Sequence, residues 1–210
     1  MTIWDKIYQN YKKGGEAYAT LDDGLIPKFL EFIKTNDFKV KKVLDIGCGN
    51  GKYLVFLKNL GFKTTGIDSS PTAVEMTKSS LSDNSDIQCL NMYEYTPPVA
   101  QYDLIISIAA IHHGLKKQVR DLIKRIYASL LLGGRFFITL PDNGGSAHWT
   151  MMVNHEEIEP GTRVPASGPE KGLPHSSFTV EEIKEMFSEF KNVNTQLLSD
   201  RGRWIVTGEK

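Results

Sequence analysis

A chain of 210 residues with 40% apolar side chains is long enough to bury one α/β core and too short for two large domains, so a single domain is expected over residues 1–210. Lysine plus arginine number 25, as do aspartate plus glutamate, which excludes a global basic field for nucleic acid or an anionic membrane and leaves only a local patch open. Two cysteines, Cys48 and Cys89, are too few for a disulfide framework or a structural zinc site; no apolar run approaches the roughly 20 residues of a membrane span, and "MTIWDKIYQNYKK" lacks a secretion signal. A soluble, unprocessed, cytoplasmic protein without a metal is expected, as monomer or homodimer.

The first 23 residues carry Trp4, Ile7, Tyr8, Tyr11 and Tyr18. At helical spacing the first four form the stripe of an amphipathic helix packed on the domain, and the rings equally suit a lid that excludes water. "GLIPKFLEFIKTN" (24–36) sets Leu25, Phe29, Phe32 and Ile33 on one helix face. "KKVLDIG" reads as strand one, followed by a helix from Lys52 to Leu60 closed by Gly61. "FKTTGID" (62–68) is strand two, and "SSPTAVEMTKSSL" opens a helix with Ser70 as N-cap and Pro71 in its first turn. "DIQCLNM" (86–92) is strand three, and the apolar "YDLIISIAAI" (102–111) is a central strand covered on both faces. A helix over 116–132 is stopped by Gly133-Gly134 before strand five, "RFFITLP". Asp142 to Ser177 is a long segment rich in Gly, Pro and polar residues, of the kind that forms a functional lid or stays disordered. Thr179 then caps "VEEIKEMFSEF" with Glu182 at the capping-box position, and "VNTQLLSDRGRWIVTGEK" reads as a terminal hairpin turning at residues 200–202. The sum is a doubly wound, mostly parallel sheet ending in an antiparallel pair.

"VLDIGCGNGKYL" (43–54) carries the chemistry. A dinucleotide loop has G-x-G-x-x-G, whereas here Gly47, Gly49 and Gly51 alternate and Asp45 precedes them. A carboxylate there opposes a pyrophosphate and suits a ligand bearing an ammonium and a sulfonium, which points to S-adenosylmethionine. Glycine backbone closes over the methionyl part, and amides at the helix start receive its carboxylate. A turn needing glycine for geometry alone would use one.

On these residues the chain resembles the Rossmann-like class I S-adenosylmethionine-dependent methyltransferases. "VLDIGCGNG" is similar to their first motif, "GIDSSPTAVEMTK" to their second, and "YDLIISIAAIHH" with "LLLGGRFFITLPD" to later strands. The resemblance implies seven strands in the order 3-2-1-4-5-7-6, strand seven antiparallel, with the cofactor over the C-terminal ends of strands one to four. It makes Asp45, Gly47, Cys48, Gly49, Gly51, Asp68, Ser69, Asn91, Met92, Ser107 and Ile108 the cofactor-site candidates. Asp68 ends strand two, where a carboxylate takes both ribose hydroxyls or caps the following helix. Asn91 stands where the family often has aspartate for the adenine amino group; its side-chain oxygen can accept, with Met92 as an apolar wall, or both simply pack.

Methyl transfer asks mainly for alignment of nucleophile, methyl and sulfur, plus a base when the acceptor is protonated. His112, His113, His148, His155 and His175 are the base candidates, each also explicable by packing, with His112 and His175 at the expected mouth of the site. Tyr11, Tyr18, His113, Trp149 and Arg163 are read as substrate or lid residues, Arg163 for gripping an anionic acceptor. No Asn-Pro-Pro-Tyr-like motif or Pro-Cys nucleophile suggests a nucleobase acceptor, so a small molecule is expected. Two alternatives stay open. "ISIAAIHH" is similar to the strand-four motif of methyltransferases of a modified wobble uridine in tRNA, with Lys116, Lys117, Arg120, Lys124 and Arg125 as a local basic row, and the second alternative is a non-catalytic cofactor-binding partner subunit.

Overall fold

In the computed structural model, residues 1–15, 24–81, 85–143, 154–199 and 202–210 are described. The apolar runs become strands β1 (Lys42–Ile46), β2 (Lys63–Asp68), β3 (Asp86–Cys89), β4 (Tyr102–Ser107) and β5 (Leu130–Pro141), and the C-terminal hairpin supplies β9 (Lys191–Leu198) and β10 (Arg203–Glu209). These seven form one sheet in the order β3-β2-β1-β4-β5-β10-β9, with β10 antiparallel to both of its neighbours. Counted within this sheet, the order is the expected 3-2-1-4-5-7-6. No helix among the described residues is long and apolar enough to cross a membrane.

Alternation along the strands sends neighbours to opposite faces. Leu44, Ile46, Ile105, Phe136 and Ile138 meet Val119, Leu122, Ile123 and Ile126 of α5 (Lys116–Ser129) and Ile183 of α6 (Val180–Met186). Val43, Leu104, Ile106 and Phe137 face the other way, onto Phe29 and Ile33 of α2 (Pro27–Thr35), Leu54 and Leu57 of α3 (Lys52–Asn59) and Val74 of α4 (Pro71–Leu81). Both β1 and β4 are therefore covered on both sides, as parallel central strands require. The expected caps form: the Ser70 hydroxyl accepts from the Ala73 amide at 3.1 Å, and Thr179 and Glu182 make the reciprocal capping box of α6.

Several boundaries differ from expectation, each for a local reason. Strand three ends at Cys89 rather than Met92, because Asn91 turns the chain by accepting from the Tyr93 amide at 3.1 Å. Strand four ends at Ser107 rather than Ile111: Ala109 has φ +55°, and its amide donates to Thr139 Oγ1 at 2.8 Å, which bends residues 108–113 across the top of the sheet. Helix α5 stops at Ser129 and β5 starts at Leu130, so Gly133 and Gly134 lie inside a strand, bonded to the far end of the chain through Gly133 N–H to Lys210 O at 3.0 Å. α6 ends at Met186, short of the expected Phe190.

The described part of the segment 142–177 is not structureless. It forms a second, three-stranded sheet, β6 (His155–Glu159), β7 (Thr162–Pro165) and β8 (His175–Ser176), with antiparallel pairing. α1 (Ile3–Lys12) is the amphipathic helix read from its stripe, with Ile7 and Tyr8 buried. Asp5 fixes it to the start of α4, accepting from Ser70 Oγ at 3.0 Å and the Thr72 amide at 3.1 Å, and Lys12 pairs with Glu75 at 2.7 Å. These bonds hold Asp5 below the ordinary carboxylate range: burial opposes ionisation, and the Thr72 and Ser70 donors outweigh it.

Candidate active site

The glycine loop leaves β1 and is pressed from two sides. Gly47 has φ +77°, and a Cβ there would lie 2.3 Å from the Ala110 methyl; Gly49 has φ +57°, and its Cβ would lie 2.4 Å from the Tyr8 hydroxyl. Conformation and space both demand glycine. The turn after β4 therefore rests on the front of the loop and α1 rests on its top. Met92 contributes a third wall, its methyl 3.6 Å from the same Cβ position at Gly47.

Asp68 grips this loop from β2. One carboxylate oxygen accepts from the Gly49 amide at 3.0 Å and the other from the Ser70 amide at 2.9 Å, so loop and α4 cap share one side chain. Burial raises its pKa even against those amides. Asp45 is held well above the ordinary carboxylate range by burial first and then by the Asp68 charge. Burial and the same two carboxylates push the Cys48 thiol up, and burial with the Asp68 charge raises the Tyr8 phenol. Two buried acids side by side make a place where a cation is stabilised and a phosphate is not.

Of the other cofactor candidates, Ser69 lies beside the Asp68 carboxylate at partial exposure and Gly51 caps α3 in the left-handed conformation. Ser107 spends its hydroxyl on the Ile46 carbonyl at 2.8 Å, joining β4 to β1, and Ile108 packs on the α2 side of the core. Asn91 is exposed, with its amide nitrogen on Glu94 at 2.9 Å and its oxygen on the Tyr93 amide, so both ends of that side chain serve the turn. Met92 reaches the loop; Asn91 does not.

The acceptor candidates converge from three parts of the chain. His112 and His113 follow β4, and β8 brings His175 to them, with ring centroids 3.9 Å apart for His112–His113, 4.8 Å for His113–His175 and 5.9 Å for His112–His175. His112 and His175 are buried, and His113 is half-buried. The Ser176 amide donates to the His112 carbonyl at 2.9 Å and its hydroxyl to the Gly114 carbonyl at 2.6 Å, which stitches the small sheet onto the turn. Tyr93 supports the same turn from below, donating to the Ile111 carbonyl at 2.9 Å. Trp4 stacks edge-on against His113 at 4.7 Å. Because Trp4 and Tyr8 are one helical turn apart, about 5–6 Å between Cβ atoms, α1 spans from the histidines to the glycine loop.

Arg163 stands opposite His175 in the β7–β8 pairing, and opposite residues of such a pair share a face. Glu170 Oε2 lies 3.4 Å from His175 Nε2, and burial raises its carboxyl to about 7 despite the Arg203 charge. Tyr11 is half-buried on α1, and His155 is exposed on β6, away from the other histidines' buried setting. Tyr18, His148 and Trp149 lie outside the described residues. Asp5, Tyr93 and Glu170 were not legible as site residues, since the partners that matter are 65, 18 and 5 positions away across turns.

The basic row on α5 is largely engaged. Lys116 is buried and pairs with Glu182 at 2.6 Å, Lys117 with Asp121 at 2.6 Å and Arg120 with Glu182 at 3.7 Å, while Arg125 donates to the Tyr93 carbonyl at 2.9 Å.

Strand order, glycine loop and paired acids define a class I S-adenosylmethionine-dependent methyltransferase. A family model described as a methyltransferase domain matches residues 18–196, and the chain belongs to that family. The ubiquinone biosynthesis O-methyltransferase of Coxiella burnetii is 26% identical over 136 residues, 63% of this chain, and the chain spans 57% of that protein's length. A crystal structure of a Pyrococcus horikoshii protein superposes with TM-score 0.77 at 16% identity, covering 100% of this chain and 99% of its own. The Burkholderia thailandensis 1,6-didemethyltoxoflavin-N1-methyltransferase, with 1,6-didemethyltoxoflavin and S-adenosylhomocysteine bound, gives 0.70 at 17% identity over 99% of this chain and 87% of its own. These likenesses to solved structures establish the fold.

Proposed function

We propose that the protein transfers a methyl group from S-adenosylmethionine to a small-molecule acceptor by direct in-line displacement. The observation that carries this reading is the pair of buried carboxylates, Asp45 and Asp68, bracketing a glycine loop with no room for side chains. When bound, S-adenosylmethionine supplies an electrophilic methyl on a positively charged sulfur.

The chain's own part is binding, orientation and exclusion of water. Asp68 has acceptor capacity beyond its two amide bonds and is placed for ribose hydroxyls at the end of β2. Asp45 balances the cationic ligand, and the amides at the start of α3 suit its carboxylate. Residues 1–23 and 142–177 act as lids: among the described parts, α1 lies over the loop through Tyr8 and over His113 through Trp4, and the small sheet encloses the histidines from the other side. His112 and His175, with His113 beside them, form the acceptor side of the site and promote loss of the acceptor's proton, and Arg163, opposite His175, favours an anionic acceptor.

Two observations favour a small molecule over RNA. α1 and the small sheet pack against the histidines from two sides, and most of the basic α5 side chains are bound within the chain. Two of the similar proteins act, by name, on small molecules. The test uses labelled S-adenosylmethionine with a small-metabolite extract and, separately, with unmodified tRNA. Label in a small product is expected; label in tRNA alone overturns the acceptor class, and label in neither despite cofactor binding overturns catalysis.

A further inference from the structure

The histidines meet more closely than a lone general base requires. One ring nitrogen from each of His112, His113 and His175 lies within 4.8 Å of the others. We propose that these three imidazoles bind a divalent first-row transition-metal ion, with zinc as the reference ion, at the acceptor side of the site. Binding itself does not depend on the methyl-transfer reading; the role given to the ion below does.

Imidazole nitrogen is a ligand of intermediate softness that suits zinc, iron, nickel and copper ions over magnesium or calcium. Three protein ligands with an open fourth position is the catalytic form of a zinc site, and zinc–nitrogen bonds of about 2.0–2.1 Å put tetrahedral ligand atoms about 3.4 Å apart. The cluster at 4.8 Å or less reaches that spacing by small rotations of the rings. The backbone that carries them is already fixed by the Ser176–His112, Ser176–Gly114 and Tyr93–Ile111 hydrogen bonds. Such support is what keeps a ligand set in place.

The surroundings agree with a metal set in two further ways. His113 Nδ1 lies 2.9 Å from the Ala110 carbonyl, which only accepts; Nδ1 therefore carries the proton and Nε2 presents its lone pair. A ring N–H held by a backbone carbonyl is the usual partner of a ligating histidine, as is a carboxylate, and Glu170 stands 3.4 Å from His175 Nε2 with its side chain 16% exposed.

The ion would sit one turn of α1 from the glycine loop. An oxygen acceptor bound at its open position would lose a proton to solvent more readily. The oxygen lone pair then forms the new bond to the methyl carbon, the carbon–sulfur bond breaks, and its electron pair stays on sulfur. This names a hydroxyl-bearing small molecule as the acceptor class.

The test uses untagged full-length protein stripped with a chelator and titrated with cobalt(II). Expected are about one ion per chain, visible d–d bands lost on adding zinc, and quenching of Trp4, whose ring lies 4.7 Å from that of His113. The quenching should shrink in Trp4→Phe. Half-buried His113 allows the conservative His113→Gln to fold, checked by circular dichroism, and it should weaken cobalt binding by about tenfold or more. Absence of stoichiometric bands, or equal affinity in His113→Gln and His175→Gln, overturns the proposal. Calorimetry with S-adenosylhomocysteine on the same sample separates the two readings: metal without cofactor binding overturns the methyltransferase reading, and cofactor without metal binding overturns this one.

Discussion

The two ends of the site are built by opposite means. At the glycine loop, the groups presented are backbone amides and two acids held by strand ends, and a methyl added at Gly47, Gly49 or Gly51 would collide with a neighbouring side chain. At the histidine end, the groups are side chains on a turn and a two-residue strand, brought together by a few hydrogen bonds between segments far apart in sequence. The first arrangement suits a ligand that never varies. The second can change its acceptor through loop replacement while the sheet stays as it is.

The largest expected effect tests how rigid the loop end is. Gly47→Ala adds a methyl at φ +77°, 2.3 Å from the Ala110 Cβ. The left-handed penalty of about 1–2 kcal/mol plus overpacking of about 1–3 kcal/mol should lower stability by about 2–5 kcal/mol in urea unfolding. A change under 1 kcal/mol would mean that the turn after β4 yields, and that the contrast between the two ends is overstated.

Next is Asp68→Ala, which removes the acceptor shared by Gly49 and Ser70. Cofactor affinity should fall by roughly 1.5–3 kcal/mol, the scale of charge-assisted hydrogen bonds. Unchanged affinity in a folded variant would return Asp68 to helix capping alone. Asp5→Ala should cost about 1–2 kcal/mol of stability, because Ser70 Oγ and the Thr72 amide lose their acceptor at the start of α4. It should also weaken the link between the two ends, read as increased solvent exposure of Trp4 by fluorescence.

The smallest effect is a pH dependence. Asp45 is raised in the folded state by burial and by Asp68, so between its ordinary unfolded value and that raised value the native chain binds more protons than the unfolded chain. This contribution is therefore greatest below the unfolded pKa and is lost as pH rises through the folded one. Urea midpoints of the cofactor-free protein should carry this downward slope above the ordinary carboxylate range, and Asp45→Asn should flatten it. An identical slope in the variant would place the proton elsewhere.

The same contrast explains what could be read from the sequence. Asp45, the glycines and Asp68 lie in two short stretches at strand ends, where periodicity and residue type suffice. The central strands were legible because they are apolar enough to be covered on both faces, whereas their order came from the family resemblance. β6, read as "HEEIE", has no apolar alternation, and β8 is two residues long, so the small sheet had no hydrophobic signature. β5 begins inside "LLLGG" because Gly133 and Gly134 pair with the C-terminal strand region, a contact 77 positions away for Gly133 and Lys210. His175 meets His112 across 63 positions, and no local rule pairs them. Strand three is three residues shorter than its apolar pattern suggests because Asn91 closes an Asx turn on the Tyr93 amide, a side-chain bond that periodicity does not register.

Isothermal calorimetry of the cofactor-free protein with S-adenosylhomocysteine, S-adenosylmethionine and NAD tests the central claim most directly. The account predicts saturable binding of both adenosyl ligands, lost or strongly reduced in Asp68→Ala, and no heat from NAD. Binding of NAD with no response to either adenosyl ligand would contradict it.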